Sequence, residues 1–316
     1  IFTAPMDTVV SYDNYTIYDN NKLISILPRT GNMPIQLNTF PGWVAYSLDH
    51  FIDRFVQNKP KLIFRHKVLI DIANGHMIKL QNAIYDAKKT YGDDLIIMAG
   101  NVANPFTYKV LSNSGADYVR IGIGNGGGCL TTQQTGIGYP MASLIFETYQ
   151  MSCQLDTPAI IVADGGFKKY SDIIKALALG ADYVMLGSMF NKALESAGET
   201  YFANKKYDSW TEPGGQVDQY SETTKSLFQN GQKFYKKFRG MSTKDVQKSL
   251  GAKDIKTSEG ITRMNLVEYT LDGWVENFNH YLRSAMSYTN SINLSEFIGQ
   301  VDFNIITQNA FNRFNK

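Results

Sequence analysis

The chain has 316 residues, 43% of them hydrophobic and 19% charged, which suffices for a large buried core and excludes disordered and collagen-like classes. Its formal net charge of +2, with no basic block, argues against a polyanion-binding protein. Two cysteines make no disulfide framework and no apolar run is long enough to span a bilayer, so a reducing, cytoplasmic setting is expected.

The first element is a short apolar run, Ile1–Ala4. The chain starts with Ile rather than Met and shows no charged signal-peptide region, so its native N-terminus is expected to lie upstream. Similar runs follow at Leu23–Leu27, Trp43–Ser47, Val68–Ile72, Leu95–Ala99, Tyr118–Ile123, Ala159–Ala163 and Tyr183–Leu186, eight in all. Most are continuous rather than alternating, as in parallel strands covered on both faces. Their spacing, mostly about 20 to 35 residues, leaves room for a crossover helix. Helices are predicted at Leu48–Gln57 (Phe51, Ile52 and Phe55 on one face), Lys79–Tyr91, Phe106–Ser114, Pro140–Gln154 and Tyr170–Leu179, with Gly180 placed to end the last. Strand–helix alternation repeated eight times predicts a (β/α)₈ TIM barrel, with a doubly wound sheet as the alternative. One catalytic domain over residues 1–316 is expected. The pattern breaks after Leu186. Residues 196–238 are polar and too long for an ordinary barrel loop, so an inserted flap or hairpin is expected there before helical patterning returns at Trp274–Tyr288.

The densest chemical signal is Gly122-Ile123-Gly124-Asn125-Gly126-Gly127-Gly128-Cys129-Leu130-Thr131, directly after the sixth strand and so at the C-terminal mouth, where barrel enzymes keep their sites. Five glycines in seven residues suit a backbone that approaches a ligand closely or wraps an ion with its carbonyls. Cys129 at the end of such a loop could act as a thiolate nucleophile; a flexible turn with a small buried Cys is the plainer alternative. Ala163-Asp164-Gly165-Gly166 and Leu186-Gly187-Ser188 end the seventh and eighth strands, the usual place for a barrel phosphate site, although each glycine could also serve only a tight turn. Asp164 could accept a ribose diol. Asp71-Ile72-Ala73-Asn74-Gly75 and Gly100-Asn101 belong to the same mouth. The four histidines, His50, His66, His76 and His280, show no metal spacing, and Cys153 reads as a packing residue.

Together with Ala4-Pro5-Met6-Asp7-Thr8-Val9, Ala99-Gly100-Asn101-Val102, Val184-Met185-Leu186-Gly187 and Arg239-Gly240-Met241-Ser242, these segments resemble the IMP dehydrogenase / GMP reductase family in order along nearly the whole chain. The reductase branch is favoured by Ile70–Gly75, where dehydrogenases carry a serine pair, and by Thr135-Gly136-Ile137-Gly138-Tyr139-Pro140. It is favoured also by the short stretch from Met241 to Glu259, which lacks the dehydrogenase's Arg-Tyr pair. Ser258-Glu259-Gly260 fits both branches. The chain departs from the family in having Gly127 for a serine, Gly128 for an aliphatic residue, Asn125 for a proline, Thr132 for an arginine, and Ile255-Lys256 for Tyr-Arg.

The resemblance implies NADPH-dependent reductive deamination of GMP to IMP and ammonia. Cys129 would be the nucleophile, with Thr131 and Glu259 as the proton relay. Met6, Asn101, Asp164, Gly165, Gly166, Gly187, Ser188, Gly240, Met241 and Ser242 would hold the substrate. Asp71, Ile72, Ala73, Ile123, Gly124, Lys256 and Ser284 would hold the cofactor, and the carbonyls of Gly124, Gly126 and Cys129 a potassium ion. The family further implies a homotetramer. IMP dehydrogenase chemistry and a non-catalytic nucleotide-binding paralogue are the alternatives.

Overall fold

The computed structural model describes residues 1–29, 40–203, 214–240, 243, 246, 248 and 260–314. Each of the eight apolar runs forms a strand: β1 (Phe2–Thr3), β2 (Ile26–Leu27), β3 (Trp43–Tyr46), β4 (His66–Asp71), β5 (Leu95–Val102), β6 (Tyr118–Ile121), β7 (Ile160–Asp164) and β8 (Tyr183–Leu186). Their order is β1-β8-β7-β6-β5-β4-β3-β2 with every pairing parallel. A parallel bridge from Phe2 to Ile24, just ahead of β2, closes the circle. This is the (β/α)₈ barrel, and the doubly wound alternative falls because an open sheet would leave two free edges.

Strand alternation sorts the apolar residues into two cores. Val68, Ile70, Ile97, Ala99, Val119, Ile121, Ile161 and Val184 face outward and meet the helices. Phe2, Trp43, Leu69, Met98, Val162 and Met185 face inward and fill the barrel. The helices arise for local reasons. In α3 (Ile78–Tyr91), Leu80, Ala83, Ile84 and Ala87 fall on one face and are buried against the strands. Helix α4 (Pro105–Asn113) starts where the Asn104 side chain accepts from the Thr107 amide at 2.7 Å, and Pro105 occupies the first turn. The helix predicted at Leu48–Gln57 begins as α2 (Leu48–Phe51) and widens to a π-helix over Ile52–Asn58, with Phe51 and Phe55 fully buried.

The polar stretch after β8 carries strands among its described residues. It contributes β9 (Thr200–Phe202), β10 (Gln216–Val217) and β11 (Phe234–Arg239), which join β12 (Thr262–Leu266) in an antiparallel sheet of order β10-β9-β11-β12. On β11 burial alternates, with Phe234, Lys236 and Phe238 inward. The Lys236 ammonium donates to the carbonyls of Ser196 (2.6 Å) and Gly198 (3.3 Å), so a charged residue occupies what would otherwise be an apolar position. Burial pulls its pKa down to about 7, against the opposing pull of Glu195. Asn191 fastens the sheet to the barrel. Its amide donates to Thr8 and Lys237 carbonyls, and its Oδ1 accepts from Asn265 at 2.7 Å. Among the described residues, no helix is long and apolar enough to cross a membrane.

Candidate active site

The glycine loop leaves β6 at the mouth under tight constraint. Gly122 has a positive φ of 123°, and a Cβ there would lie 2.3 Å from the Asp164 carbonyl oxygen, so only glycine fits. Its amide donates to Val102 and its carbonyl accepts from the Asn101 side chain at 2.7 Å. Gly165 serves the same purpose from the other side, since a Cβ on it would come within 2.9 Å of the Gly126 amide nitrogen. Backbone packing between the loops after β6 and β7 is thus one reason for these glycines, beside any approach to a ligand.

The loop delivers a half-buried Cys129 whose thiol faces the Thr131 hydroxyl at 3.2 Å, a separation that allows a proton or a hydrogen bond to pass between them. The Cys129 amide donates to Gly126 at 3.0 Å and curls the loop back on itself. Gly260 then bridges Cys129 in antiparallel fashion, Ile261 donates to the Gly128 carbonyl at 3.2 Å, and Gly240 donates to Ile261 at 3.0 Å. The glycine loop, the end of β11 and the start of β12 therefore form one short ladder. Glu259, Lys256, Met241 and Ser242 lie outside the described residues, although Gly260 and Gly240 beside them are in this ladder.

One of the glycines at which the chain departs from the family it resembles has a steric cause. A Cβ on Gly128 would lie 2.8 Å from the Phe238 ring, which fills the space an aliphatic residue would need. Gly127 faces Ser188 and Arg263 instead. Met6 packs at Gly187, where a Cβ would lie 3.0 Å from its sulfur. Met6, Asn101, Asp164, Gly165, Gly166, Gly187, Ser188, Ile123, Gly124, Gly126, Cys129 and Thr131 therefore stand at the C-terminal ends of strands or in the segments that directly follow them, and Gly240 joins them through the ladder. Ser284 does not join them: it lies on the exposed face of α10 (Leu271–Tyr288), whose buried residues Leu271, Trp274 and Phe278 pack on the barrel's outer wall. Cys153, expected to pack, is exposed, because it stands just past the end of α6 (Met141–Ser152) rather than on its buried face.

An ionic cluster below the loop escapes the strand-by-strand sequence reading. Arg120, on an inward position of β6, is buried, hydrogen-bonds Asp71 and lies 3.8 Å from Asp164. Arg29 pairs with the other Asp71 oxygen at 2.9 Å, and Asn101 donates to Asp164 at 2.9 Å. Burial works to raise the Asp71 pKa, but Arg120 and Arg29 outweigh it and hold the carboxyl below its ordinary range. At Asp164 burial prevails over Arg120 and Asn101, and the pKa is raised. The signal for Arg120 was present: a lone charge two residues after Tyr118, in a run whose other members are apolar.

A parallel barrel with a cysteine–threonine pair on a glycine loop at its C-terminal mouth has the layout of barrel proteins that keep their sites at strand ends. A family model described as "IMP dehydrogenase / GMP reductase domain" matches residues 63–314, and the chain belongs to that family. It is 28% identical to GMP reductase 2 of Homo sapiens over 98% of this chain and 83% of the relative. To GMP reductase of Caenorhabditis elegans it is 30% identical over 98% of this chain and 81% of the relative. To inosine-5'-monophosphate dehydrogenase of Chlorobaculum parvum it is 38% identical over 48% of this chain. The chain spans about a third of the length of the Chlorobaculum dehydrogenases it matches.

Proposed function

We propose that the chain is an oxidoreductase that reductively deaminates GMP, or a closely related guanine nucleotide, to IMP and ammonia with NADPH. The observation that carries the reading is the Cys129 thiol 3.2 Å from the Thr131 hydroxyl, in a ladder with the residue after Glu259. Two relatives named GMP reductase, each aligned to 98% of this chain, support it. In this mechanism the Cys129 thiolate forms a bond to purine C2. Thr131, with Glu259 as its partner in the proton relay, delivers the proton that lets the 2-amino group depart as ammonia, since an amide anion is too poor a leaving group unaided. NADPH, when bound, supplies the hydride that C2 accepts. The carbon–sulfur bond then breaks and Cys129 returns as thiolate.

The donor set suits both ligands. Asp164, Gly165, Gly166, Gly187 and Ser188 would hold ribose and phosphate, while Met6, Asn101, Gly240, Met241 and Ser242 would line the base. Asp71, with Ile72, Ala73, Ile123 and Gly124, would meet the cofactor. A carboxylate accepts about four hydrogen bonds, so the two arginines on Asp71 leave capacity for a ribose hydroxyl. Lys256 is the candidate for the 2′-phosphate, while Ser284, on the exposed face of α10, would meet a cofactor only across a subunit contact of the proposed homotetramer. A potassium ion on the carbonyls of Gly124, Gly126 and Cys129 would share Gly126 with the Cys129 amide. A cytoplasmic homotetramer goes with this reading.

Dehydrogenase chemistry, IMP to XMP with NAD, is the second reading, supported by the 38% identity to the Chlorobaculum parvum enzyme over part of the chain. The deciding experiment offers the protein GMP with NADPH and, separately, IMP with NAD. Loss of NADPH absorbance with release of ammonia is expected in the first. Accumulation of XMP in the second, with no ammonia in the first, would sink the reductase assignment. Binding of both nucleotides without turnover would make it a nucleotide-binding paralogue.

A further inference from the structure

Arg263 stands on β12 directly opposite Phe238 of β11, and its guanidinium carbon lies 5.1 Å from the centre of the Phe238 ring. The ring thus holds the guanidinium in place by a cation–π contact. A terminal nitrogen of Arg263 lies 3.6 Å from where a Cβ on Gly127 would be, and the Ser188 hydroxyl lies 3.3 Å from the same point. Hydroxyl and guanidinium therefore flank one glycine that has no side chain to separate them. Arg263 and Ser188 are half-buried and Gly127 is exposed, so the space is open to a ligand. The Nε of Arg263 is buried and has no hydrogen-bond partner among the described residues.

The loop after β8, where Ser188 stands, is also where an α/β barrel binds phosphate. We propose that Arg263 is a substrate-binding residue that grips the nucleotide's phosphomonoester across Gly127, together with Ser188. The inference rests on the purine-nucleotide reading above. It explains how the chain tolerates glycine at 127: a guanidinium from the neighbouring sheet supplies charge and donors, and its planar fork suits a phosphate better than a hydroxyl does.

The test measures binding of GMP and of guanosine to the full chain, in wild type and in Arg263→Gln. GMP affinity is expected to fall roughly 10- to 100-fold, the range for a charge-assisted hydrogen bond, with guanosine affinity unchanged. Unchanged guanosine binding also reports an intact fold. KM for GMP should rise in proportion, with kcat altered far less. Arg263→Lys should keep part of the affinity, and Gly127→Ser placed on Arg263→Gln should restore part. Equal losses for GMP and guanosine, or no loss, would overturn the proposal and reduce Arg263 to a packing residue on Phe238. A loss seen for NADPH over NADH instead would assign the guanidinium to the cofactor and also overturn it. A wild type that does not prefer GMP to guanosine would overturn the nucleotide reading along with this one.

Discussion

On β4 the inward side chains are Leu69 and, two residues on, Asp71; on β6 they are Tyr118 and Arg120; on β7 they are Val162 and Asp164. One step along the same strands takes the barrel interior from hydrocarbon to charge. The floor is packed by rings meeting edge to face, Phe2 on Trp43 at 5.6 Å and Trp43 on Tyr118 at 5.2 Å. The mouth holds Arg120 between two carboxylates, with Arg29 and Asn101 completing the set. Burying ions this way contributes little net stability compared with a well-packed apolar filling. What the ionic layer does supply is position: it ties the ends of β4, β5, β6 and β7 together beneath the Cys129 loop. The floor stabilises the barrel, and the mouth arranges it.

The sharpest test of that division is Cys129→Ala. Turnover is expected to fall more than about 100-fold with nucleotide affinity within a few-fold and stability nearly unchanged, because the proposed covalent step is removed and little else. A variant that keeps more than about a hundredth of the wild-type rate contradicts the covalent step. Next in size, Arg120→Met should lower unfolding free energy by about 3–5 kcal/mol, since it leaves Asp71 and Asp164 without their shared cation. Asp71→Leu with Arg120→Met should recover much of that stability in urea melts while remaining inactive. If the double variant is less stable than the single one, the ionic layer is stabilising after all and the comparison breaks.

Trp43→Ala should cost a similar amount, about 3–5 kcal/mol, by opening a cavity in the floor, yet leave the kinetic constants of the folded enzyme intact. The smallest effect is a pH signature. Asp71 has a depressed folded pKa, so its contribution is present above its unfolded pKa and is lost as pH falls through the folded one. Asp164 has a raised folded pKa, so its contribution is present below its unfolded pKa and is lost as pH rises through the folded one. In unfolding curves taken across the acid range, Asp71→Asn should flatten the loss on acidification and Asp164→Asn should do the reverse. Tyr118→Phe, on the floor, should leave that limb untouched, and a matching change there would show that the titration is not confined to the mouth.

The eight strands were legible because runs such as Leu95–Ala99 are buried on both faces and need no alternation to be seen. The antiparallel sheet was not, because β9 and β10 are very short and Lys236 breaks the alternation of Phe234 and Phe238 on β11. The Cys129 loop and the glycines at 165, 166 and 187 could be placed at the mouth from strand ends alone. Arg120 was visible as a charge inside an apolar run, yet its meaning depends on Asp71 and Asp164 arriving from other strands. Arg29 and Arg263 lie outside any motif, so only the folded chain brings them to the mouth.

The bridge between Cys129 and Gly260 joins residues far apart in the chain. During synthesis, when domains assemble from the N-terminal side, β1 to β8 can emerge and pair while β12 is still inside the ribosome. The Cys129 loop cannot take its final shape until that late strand arrives. A chain stalled before β12 would thus carry a barrel with an unfinished Cys129 loop. The Cys129 loop in this way acquires its final shape only in chains whose synthesis has passed β12.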